Sequence, residues 1–194
     1  MTEQKPKPKL YIDSCCIISL ATYQFTGKRE AGYEENDNYY LVKILEAGKN
    51  GDMLLYTSSL TVVECQHING LDNAEVQRLF NSILLSGRLF IHISADVFIA
   101  IRARELRWTD GIKGIGPTDG IHLASAIKMG CKEFLTLDGT RRGLLQKAES
   151  IKKKGGISVI KPSQTLCLPD EYLQEEIPLD EKAAKKETTT NRGS

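Results

Sequence analysis

The chain has 194 residues, enough for one domain whose hydrophobic core needs no disulfide or structural metal. Its formal net charge is +1 and 41% of its residues are hydrophobic, so no overall field indicates a nucleic-acid partner, and any basic contact surface has to be local. There is no secretory leader, and no apolar run approaches the roughly 18 residues of a membrane-spanning helix, which together predict a soluble, cytoplasmic protein without a membrane partner. The cysteines are odd in number and form no Cys-x-x-Cys pair, which predicts buried, reduced thiols at Cys15, Cys16, Cys65, Cys131 and Cys167.

Short apolar strands alternate with amphipathic helices along the chain. This alternation is typical of a parallel sheet covered by helices on both faces. We therefore predict an α/β fold, an α/β/α sandwich around a central, mainly parallel sheet of four or five strands. The predicted strands are 9–12, 53–56, 89–93, 134–137 and 157–160. Six helices are predicted. The first begins at Ser14, the second covers 37–47, and the third follows a cap at Ser58 or Ser59. The fourth covers 73–85, the fifth runs from a cap at Ser94 to about 108, and the sixth runs from a cap at Thr118 to 129.

The two ends of the chain differ in composition from its centre. Residues 1–8 are polar and contain two prolines, which predicts a flexible N-terminus. From residue 169 the sequence is acidic and then rich in Lys and Thr, with too few apolar residues for a core. We expect a folded domain over 9–168 and a partly disordered tail over 169–194, in which a docked peptide or helix precedes disorder from about residue 181.

Four acidic residues stand where the predicted elements would bring their side chains together. Asp13 and Asp138 each follow an apolar strand, at the carboxyl edge where open α/β sheets bind ligands. Glu64 and Asp119 lie at or near the start of predicted helices, and the positive end of the helix dipole favours the ionised form of Asp119. Two unit charges about 4 Å apart repel by roughly 4 kcal/mol at an effective dielectric of about 20. A divalent cation is the simplest neutralising partner, and carboxylate ligands alone favour Mg²⁺ or Mn²⁺.

Each acid has an ordinary explanation when it is considered alone. Asp119 can be a first-turn helix acid, and Glu64 can be a solvated helix residue. Asp13 and Asp138 can be turn residues that follow strands. The shared site would be absent only if all four ordinary explanations applied at once, so we favour a shared site.

Segments around the four acids resemble the motifs of the PIN-domain family of metal-dependent nucleases, which includes the VapC-type toxins. Their order and context agree over roughly residues 9–161. The resemblance implies a PIN-like fold and Mg²⁺- or Mn²⁺-dependent ribonuclease activity. The loop over 26–36 and the tail after 169 exceed what compact toxin-like members carry. The four segments are Tyr11-Ile12-Asp13-Ser14, Ser59-Leu60-Thr61-Val62-Val63-Glu64, Asp119-Gly120-Ile121-His122-Leu123-Ala124-Ser125-Ala126 and Leu135-Thr136-Leu137-Asp138.

Phosphodiester hydrolysis assigns separate roles to the four acids. It needs an in-line water, neutralisation of the charge on the phosphoryl oxygens and a stabilised leaving oxygen, which one or two Mg²⁺ ions can supply. Asp13 and Asp119 are expected to be direct or near-direct metal ligands. Asp138 and Glu64 are expected to complete the ligand shell or to orient bound waters.

Other polar residues are candidates for contacts with the substrate. Ser14 and Thr136 can hydrogen-bond a ligand carboxylate or a water, or serve as plain cap and strand residues. Arg141 and Arg142 are expected near the rim of the site, where they would contact RNA. Trp108 can stack a base or pack on the protein. Further basic clusters, for which a solvated surface is the alternative, lie at Arg102, Arg104 and Arg107, and at Lys147 and Lys152 to Lys154.

Two histidines lie three residues after two of the acids, and so on the same helix faces. They are His67, after Glu64, and His122, after Asp119. Such pairs also occur in di-iron carboxylate sites, but those sites need four helices, and two of the present acids follow strands. We therefore expect packing or support of the site from both histidines rather than metal ligation.

The function most consistent with these features is that of a metal-dependent endoribonuclease, the toxin of a type II toxin–antitoxin pair. RNA processing or maturation is the alternative activity, and a catalytically inert PIN-like module that binds RNA or protein is the non-enzymatic one. A phosphatase of the haloacid-dehalogenase type would need a second Asp where Cys15 stands. The expected partners are RNA, an antitoxin protein and a second copy of the chain.

Overall fold

A computed structural model describes residues 6–26, 35–66, 68 and 73–173. Several predicted features lie outside these residues. They are most of the flexible N-terminus, the loop over 27–34, His67 and the tail from residue 174.

The centre of the described structure is a five-stranded sheet in which every pairing is parallel. The strands are β1 (Lys9–Ile12), β2 (Leu54–Ser58), β3 (Phe90–Ile93), β4 (Glu133–Leu135) and β5 (Ser158–Ile160), in the spatial order β3-β2-β1-β4-β5. The central strand β1 pairs Leu10 with Leu55 of β2 and with Glu133 of β4. The predicted sheet is confirmed, and it is wholly rather than mainly parallel.

Helices cover both faces of this sheet, which confirms the predicted α/β/α sandwich. One core lies under the first, second and fourth helices, and the other under the fifth, sixth and seventh. In β1, Leu10 and Ile12 belong to the first core, whereas Tyr11 belongs to the second and stacks on Phe134. The helices are α1 (Ser14–Thr26), α2 (Glu35–Asn50), α3 (Ser59–Glu64), α4 (Asn73–Leu84), α5 (Val97–Trp108), α6 (Pro117–Lys128) and α7 (Ala148–Gly155).

Three helix predictions need correction. Helix α5 is capped by Asp96, whose carboxylate accepts from the Ile99 amide at 2.9 Å, and not by Ser94. Helix α6 begins one residue before Thr118, at Pro117, because proline has no N–H to satisfy and its fixed φ suits the first helical position. Helix α7 was not predicted, because it spans only 8 residues, contains three lysines and buries only Ile151.

The first residues of the predicted tail pack on the domain. Tyr172 is buried in the first core, where its hydroxyl donates to Asp52 at 2.6 Å and accepts from Asn50 at 2.9 Å. Just before the tail, Glu133 of β4 anchors the chain by accepting hydrogen bonds from the Thr165 hydroxyl and from the Leu166 amide. The chain is therefore held to the core up to Tyr172.

All five cysteines are free. Cys16, Cys65 and Cys131 are buried as predicted, whereas Cys15 and Cys167 are only partly buried. In the part of the chain that the structure describes, no helix has the length and apolarity needed to cross a membrane.

Candidate active site

The four predicted acids line one cavity at the carboxyl edge of the sheet. Its volume is about 600 Å³. The central position of β1 brings Asp13 to the middle of this edge, between the residues that follow β2 and those that follow β4. The lining residues are Asp13, Ser14, Cys15, Glu64, Asp119, His122, Leu137, Asp138, Gly139, Thr140 and Lys161.

Asp13 is the most firmly held of the four carboxylates. Its amide donates to the carbonyl of Leu135 at 3.0 Å and so extends the pairing of β1 with β4. One carboxylate oxygen accepts from the Ser14 amide at 2.9 Å, and the other accepts from the Thr136 hydroxyl at 2.7 Å and the Cys15 thiol at 3.3 Å. Thr136 is fully buried beneath Asp13 and does not line the cavity, so its contact is with the carboxylate.

Asp138 follows β4 in a tight turn that its own groups stabilise. Its amide donates to the Thr136 hydroxyl at 3.2 Å, and its carboxylate accepts from the Thr140 amide at 3.0 Å. A Cβ atom on Gly143 would lie 2.2 Å from the Asp138 carbonyl oxygen and 2.7 Å from its carboxyl carbon. Gly143 is therefore required for the position of Asp138, and nothing in the sequence pattern distinguished it from other loop glycines.

Asp119 lies in the first turn of α6 and is half-buried. Burial and the negative charges of Asp13 and Asp138 raise its pKa above the ordinary value, although a hydrogen bond with the Gly116 backbone lowers it. The predicted benefit of the helix N-terminus is thus outweighed by desolvation and by repulsion from the other acids. Uncompensated repulsion of this kind is expected where several carboxylates share a cation site.

A buried chain of hydrogen bonds ties Glu64 to the interior. Glu64 is the last residue of the six-residue helix α3, so it lies about a turn and a half from the helix start. Its carboxylate is 2.9 Å from Nε2 of His122, and the His122 Nδ1 is 2.7 Å from the Tyr11 hydroxyl. These bonds connect α3 to α6 and α6 to the central strand.

The electrostatics of this chain favour an ion pair. Burial lowers the pKa of His122, but the hydrogen bond and charge of Glu64, with the charges of Asp13 and Asp119, raise it to a net value above its ordinary one. Burial raises the pKa of Glu64, but His122 and the Ser14 hydroxyl lower it to a net value below its ordinary one. Both His122 nitrogens already have partners and the side chain is 3% exposed, which is the arrangement expected of a residue that supports Glu64.

The basic residues at the site differ from those predicted. Lys161 directly follows β5 and is, among the residues that the structure describes, the one lysine or arginine that lines the acidic cavity. Lys161 directly follows a strand, as Asp13 does, and this sequence signal holds for a basic residue as well as for an acid. Arg141 and Arg142 are exposed and line a different, neighbouring cavity with Lys113 and Lys147.

The donor atoms of the acidic cavity suit Mg²⁺ or Mn²⁺. Within the described ranges, no three His, Cys, Asp or Glu side chains lie close enough together to hold one ion by themselves. Mg²⁺ commonly retains several waters and is bound through one or two carboxylates, so carboxylates spaced around a cavity of this size fit it. The raised pKa of Asp119, which reflects the neighbouring negative charges, also indicates a place for a cation.

Open parallel α/β domains bind their ligands outside the carboxyl ends of the strands, and the four acids of this chain lie at that edge. Comparison with known families makes the assignment specific, because the model of the PIN domain matches residues 10–140. The chain therefore belongs to the PIN-domain family, whose members are generally nucleases and typically use divalent metals.

The fold also occurs in a chain from the solved structure of FitAB bound to an IR36 DNA fragment. The two chains are 17% identical and superpose with a TM-score of 0.51, over 80% of this chain and 96% of that one. At this identity the likeness concerns the fold. No curated protein matches the chain.

Proposed function

We propose that the protein is a metal-dependent endoribonuclease that hydrolyses RNA phosphodiester bonds in the acidic cavity. One observation carries the proposal: Asp13, Glu64, Asp119 and Asp138 line a single cavity at the carboxyl edge of a PIN-domain sheet. Hydrogen bonds hold three of these carboxylates: the buried Thr136 holds Asp13, the buried His122 holds Glu64, and the Thr140 amide holds Asp138 within its own turn.

Asp13 and Asp119 would hold Mg²⁺ or Mn²⁺, with Asp138 and Glu64 completing the shell or orienting its waters. When bound, the metal supplies a polarised water and positive charge against the developing negative charge on the phosphoryl oxygens. Cations of this size bind oxygen ligands by preference, and the four acids supply only oxygen.

The protein's own residues position this chemistry. Thr136 and the Ser14 amide fix the two oxygens of Asp13, so that its carboxylate does not have to reorganise on binding. His122 fixes Glu64 in the same way from the opposite side. Lys161 can donate to a non-bridging phosphate oxygen and so hold the RNA against the acids.

Cleavage of RNA by the purified full-length protein tests the proposal. We expect cleavage with Mn²⁺ or Mg²⁺, none in EDTA, and none in Asp13→Asn or Asp119→Asn. Glu149→Gln is a matched control, because Glu149 is exposed and lies outside the cavity. Full activity in both Asp variants would contradict the site, and clean RNA binding without cleavage would support an inert binding module instead.

For the biological role, we propose the toxin of a type II toxin–antitoxin pair. The support is the resemblance of the four motifs to VapC-type toxins. We expect growth arrest when the chain is expressed alone, no arrest with Asp119→Asn, and relief by a small antitoxin protein encoded next to it. Because the FitAB structure contains DNA, single-stranded DNA should be assayed beside RNA as a substrate. Growth without arrest, combined with specific cleavage of one precursor RNA, would favour RNA processing.

A further inference from the structure

A second functional surface adjoins the acidic cavity. Two further cavities, of about 560 and 360 Å³, share Lys113 and Gly114 in their linings and so form one continuous surface. In the part of the chain that the structure describes, no carboxylate lines either of them. The functional groups of this basic surface are Arg107, Trp108, Lys113, Arg141, Arg142 and Lys147.

Trp108 is largely exposed to solvent, although tryptophan side chains are highly buried on average. It is the one tryptophan of the chain, it ends α5, and it is 72% exposed. The Arg107 guanidinium lies 5.6 Å from the ring centroid and is itself fixed by a 2.9 Å hydrogen bond to the Ile115 carbonyl. The indole is therefore supported by a cation and still presents most of its surface to solvent, as a stacking platform requires.

The loop that follows Trp108 is anchored rather than loose. Lys154 on α7 donates to the Gly111 carbonyl at 3.2 Å, and Ile112 and Ile115 are buried in the second core. Gly111 and Gly114 adopt left-handed backbone conformations that bring Lys113 to the surface between them. Lys113 is thus held between the tryptophan and the two arginines.

The segment after β4 joins the acidic cavity to the basic surface. Thr140, whose amide is bound by the Asp138 carboxylate, lines the acidic cavity, and the next two residues, Arg141 and Arg142, line the basic one. Lys147 fixes this turn by donating to the Gly143 carbonyl at 2.9 Å and to the Arg142 carbonyl. Arg141 is therefore next in the chain to a residue of the acidic cavity and three residues after Asp138.

We propose that the basic surface binds the single-stranded RNA that enters the acidic cavity. Its cations bind successive phosphates, and Trp108 stacks an unpaired base. The identity of the polymer rests on the proposed function. A single strand is favoured because stacking on one exposed ring needs a base free of its partner. Because the net charge of the chain is only +1, phosphate binding depends on a local cluster of cations of this kind.

Trp108 itself provides the direct test, since no other tryptophan contributes to the fluorescence. The full-length protein is titrated in EDTA, where cleavage is absent, with an unstructured oligouridylate of about 12 nucleotides. We expect saturable quenching of the tryptophan emission that follows the anisotropy of a fluorescein-labelled copy of the same RNA. Asp119→Asn should show the same quenching, because binding does not require the acids.

Variants separate the two parts of the surface. Trp108→Ala should weaken RNA binding roughly 5- to 150-fold, and Trp108→Phe should restore part of the loss. Phe98→Ala is the matched control, because Phe98 is 69% exposed on the opposite end of α5 and also lies near a cation, Lys128. Arg141→Ala with Arg142→Ala should reduce the slope of log K against log salt by about 1.4, whereas the exposed Arg104→Ala should leave it unchanged.

The outcomes also separate this proposal from the proposed function. A rise in the anisotropy of the labelled RNA without quenching of Trp108 would overturn the basic surface as the RNA site, even if the protein cleaves RNA. Binding by the surface variants that equals that of their controls would overturn it as well. Tighter binding of oligodeoxythymidylate would overturn RNA as its occupant. If neither polymer changes the anisotropy or the emission of Trp108, the proposed RNA site is overturned and a protein partner is favoured for the surface. Quenching without cleavage in Mn²⁺ would contradict the nuclease while leaving the surface intact.

Discussion

The acidic cavity and the basic surface adjoin each other but are built differently. Two of the acids are fixed by hydrogen bonds from buried side chains, Asp13 by Thr136 and Glu64 by His122. Arg141, Arg142 and Trp108 extend into solvent. Fixed carboxylates suit chemistry, in which a displacement of about 1 Å can cost roughly 100-fold in rate. Exposed, adaptable cations suit the tracking of a flexible polymer. The rate of cleavage and the affinity for RNA should therefore respond to different mutations.

The largest expected effect comes from neutralising a carboxylate of the acidic cavity. Asp13→Asn and Asp119→Asn should each lower the cleavage rate on the order of 10³-fold, because a charged ligand is lost where negative charge must be offset. Affinity for RNA in EDTA should be kept or improved, since a repulsive charge near the phosphates is removed. Cleavage gels and anisotropy titrations on the same preparations check this. Equal losses of rate and affinity would show that the two regions are not separate.

A smaller loss of rate is expected from the support of Glu64. His122→Gln should lower the cleavage rate about 10- to 100-fold, the usual effect of removing a partner that orients a metal-site ligand. Tyr11→Phe, which removes only the hydroxyl that contacts Nδ1, should have a weaker effect in the same direction. Single-turnover rates measure both variants. A normal rate in His122→Gln would show that Glu64 needs no positioning.

The same pair makes stability depend on pH. The pKa of His122 is raised above its ordinary 6.5, so its protonated form stabilises the fold fully below that pH, and the stabilisation is lost as pH rises through the folded-state pKa. The difference in free energy of unfolding between wild type and His122→Gln should therefore shrink as the pH is raised. Urea titrations in EDTA measure it. A difference that grows at high pH would contradict the ion pair.

A steric test addresses Asp138. Gly143→Ala should destabilise the fold by about 1–3 kcal/mol and reduce cleavage, because the added Cβ overlaps the Asp138 carbonyl and carboxyl groups. Gly139→Ala is a matched control in the same turn, where nothing lies within 4 Å of an added Cβ. Thermal unfolding and cleavage assays compare the two. Similar behaviour of both variants would contradict the close packing at Gly143.

The smallest effect is a gain in stability from relieving repulsion in the acidic cavity. In EDTA at neutral pH, Asp119→Asn should be more stable than wild type by about 0.5 kcal/mol, the scale of a partly solvated charge pair. Since the pKa of Asp119 is raised above its ordinary 3.8, ionisation destabilises the fold above the folded-state pKa, and this penalty vanishes as the pH falls below 3.8. The advantage of the Asn variant should vanish with it. A less stable Asn variant would contradict the repulsion.

The sequence predicted the sheet and the acids well because both leave strong local signals. Strand β1 contains the apolar run Leu10-Tyr11-Ile12, followed directly by Asp13, and a strand that is buried on both faces is expected to show such a run. Helix α7 is short and mostly polar, so its sequence alone gives a weak signal, and its position depends on Ile151 packing in the second core.

Contacts between distant segments were beyond local patterns. Nothing near Glu64 in the sequence indicates that His122, 58 residues away, binds it, or that Tyr11 completes the chain. The need for glycine at 143 depends on the path of the turn after Asp138. Lys113 and Arg141 line one cavity because of how two separate loops fold together. Such features follow from tertiary structure alone.

Single-turnover cleavage as a function of RNA concentration, in Mn²⁺, tests the separation of chemistry from binding most directly. For Asp119→Asn we predict a much lower plateau rate with an unchanged half-saturating concentration. For the combined Arg141→Ala and Arg142→Ala variant we predict an unchanged plateau with a higher half-saturating concentration. The reverse assignment, or a fall in plateau and affinity together in both proteins, would contradict the account.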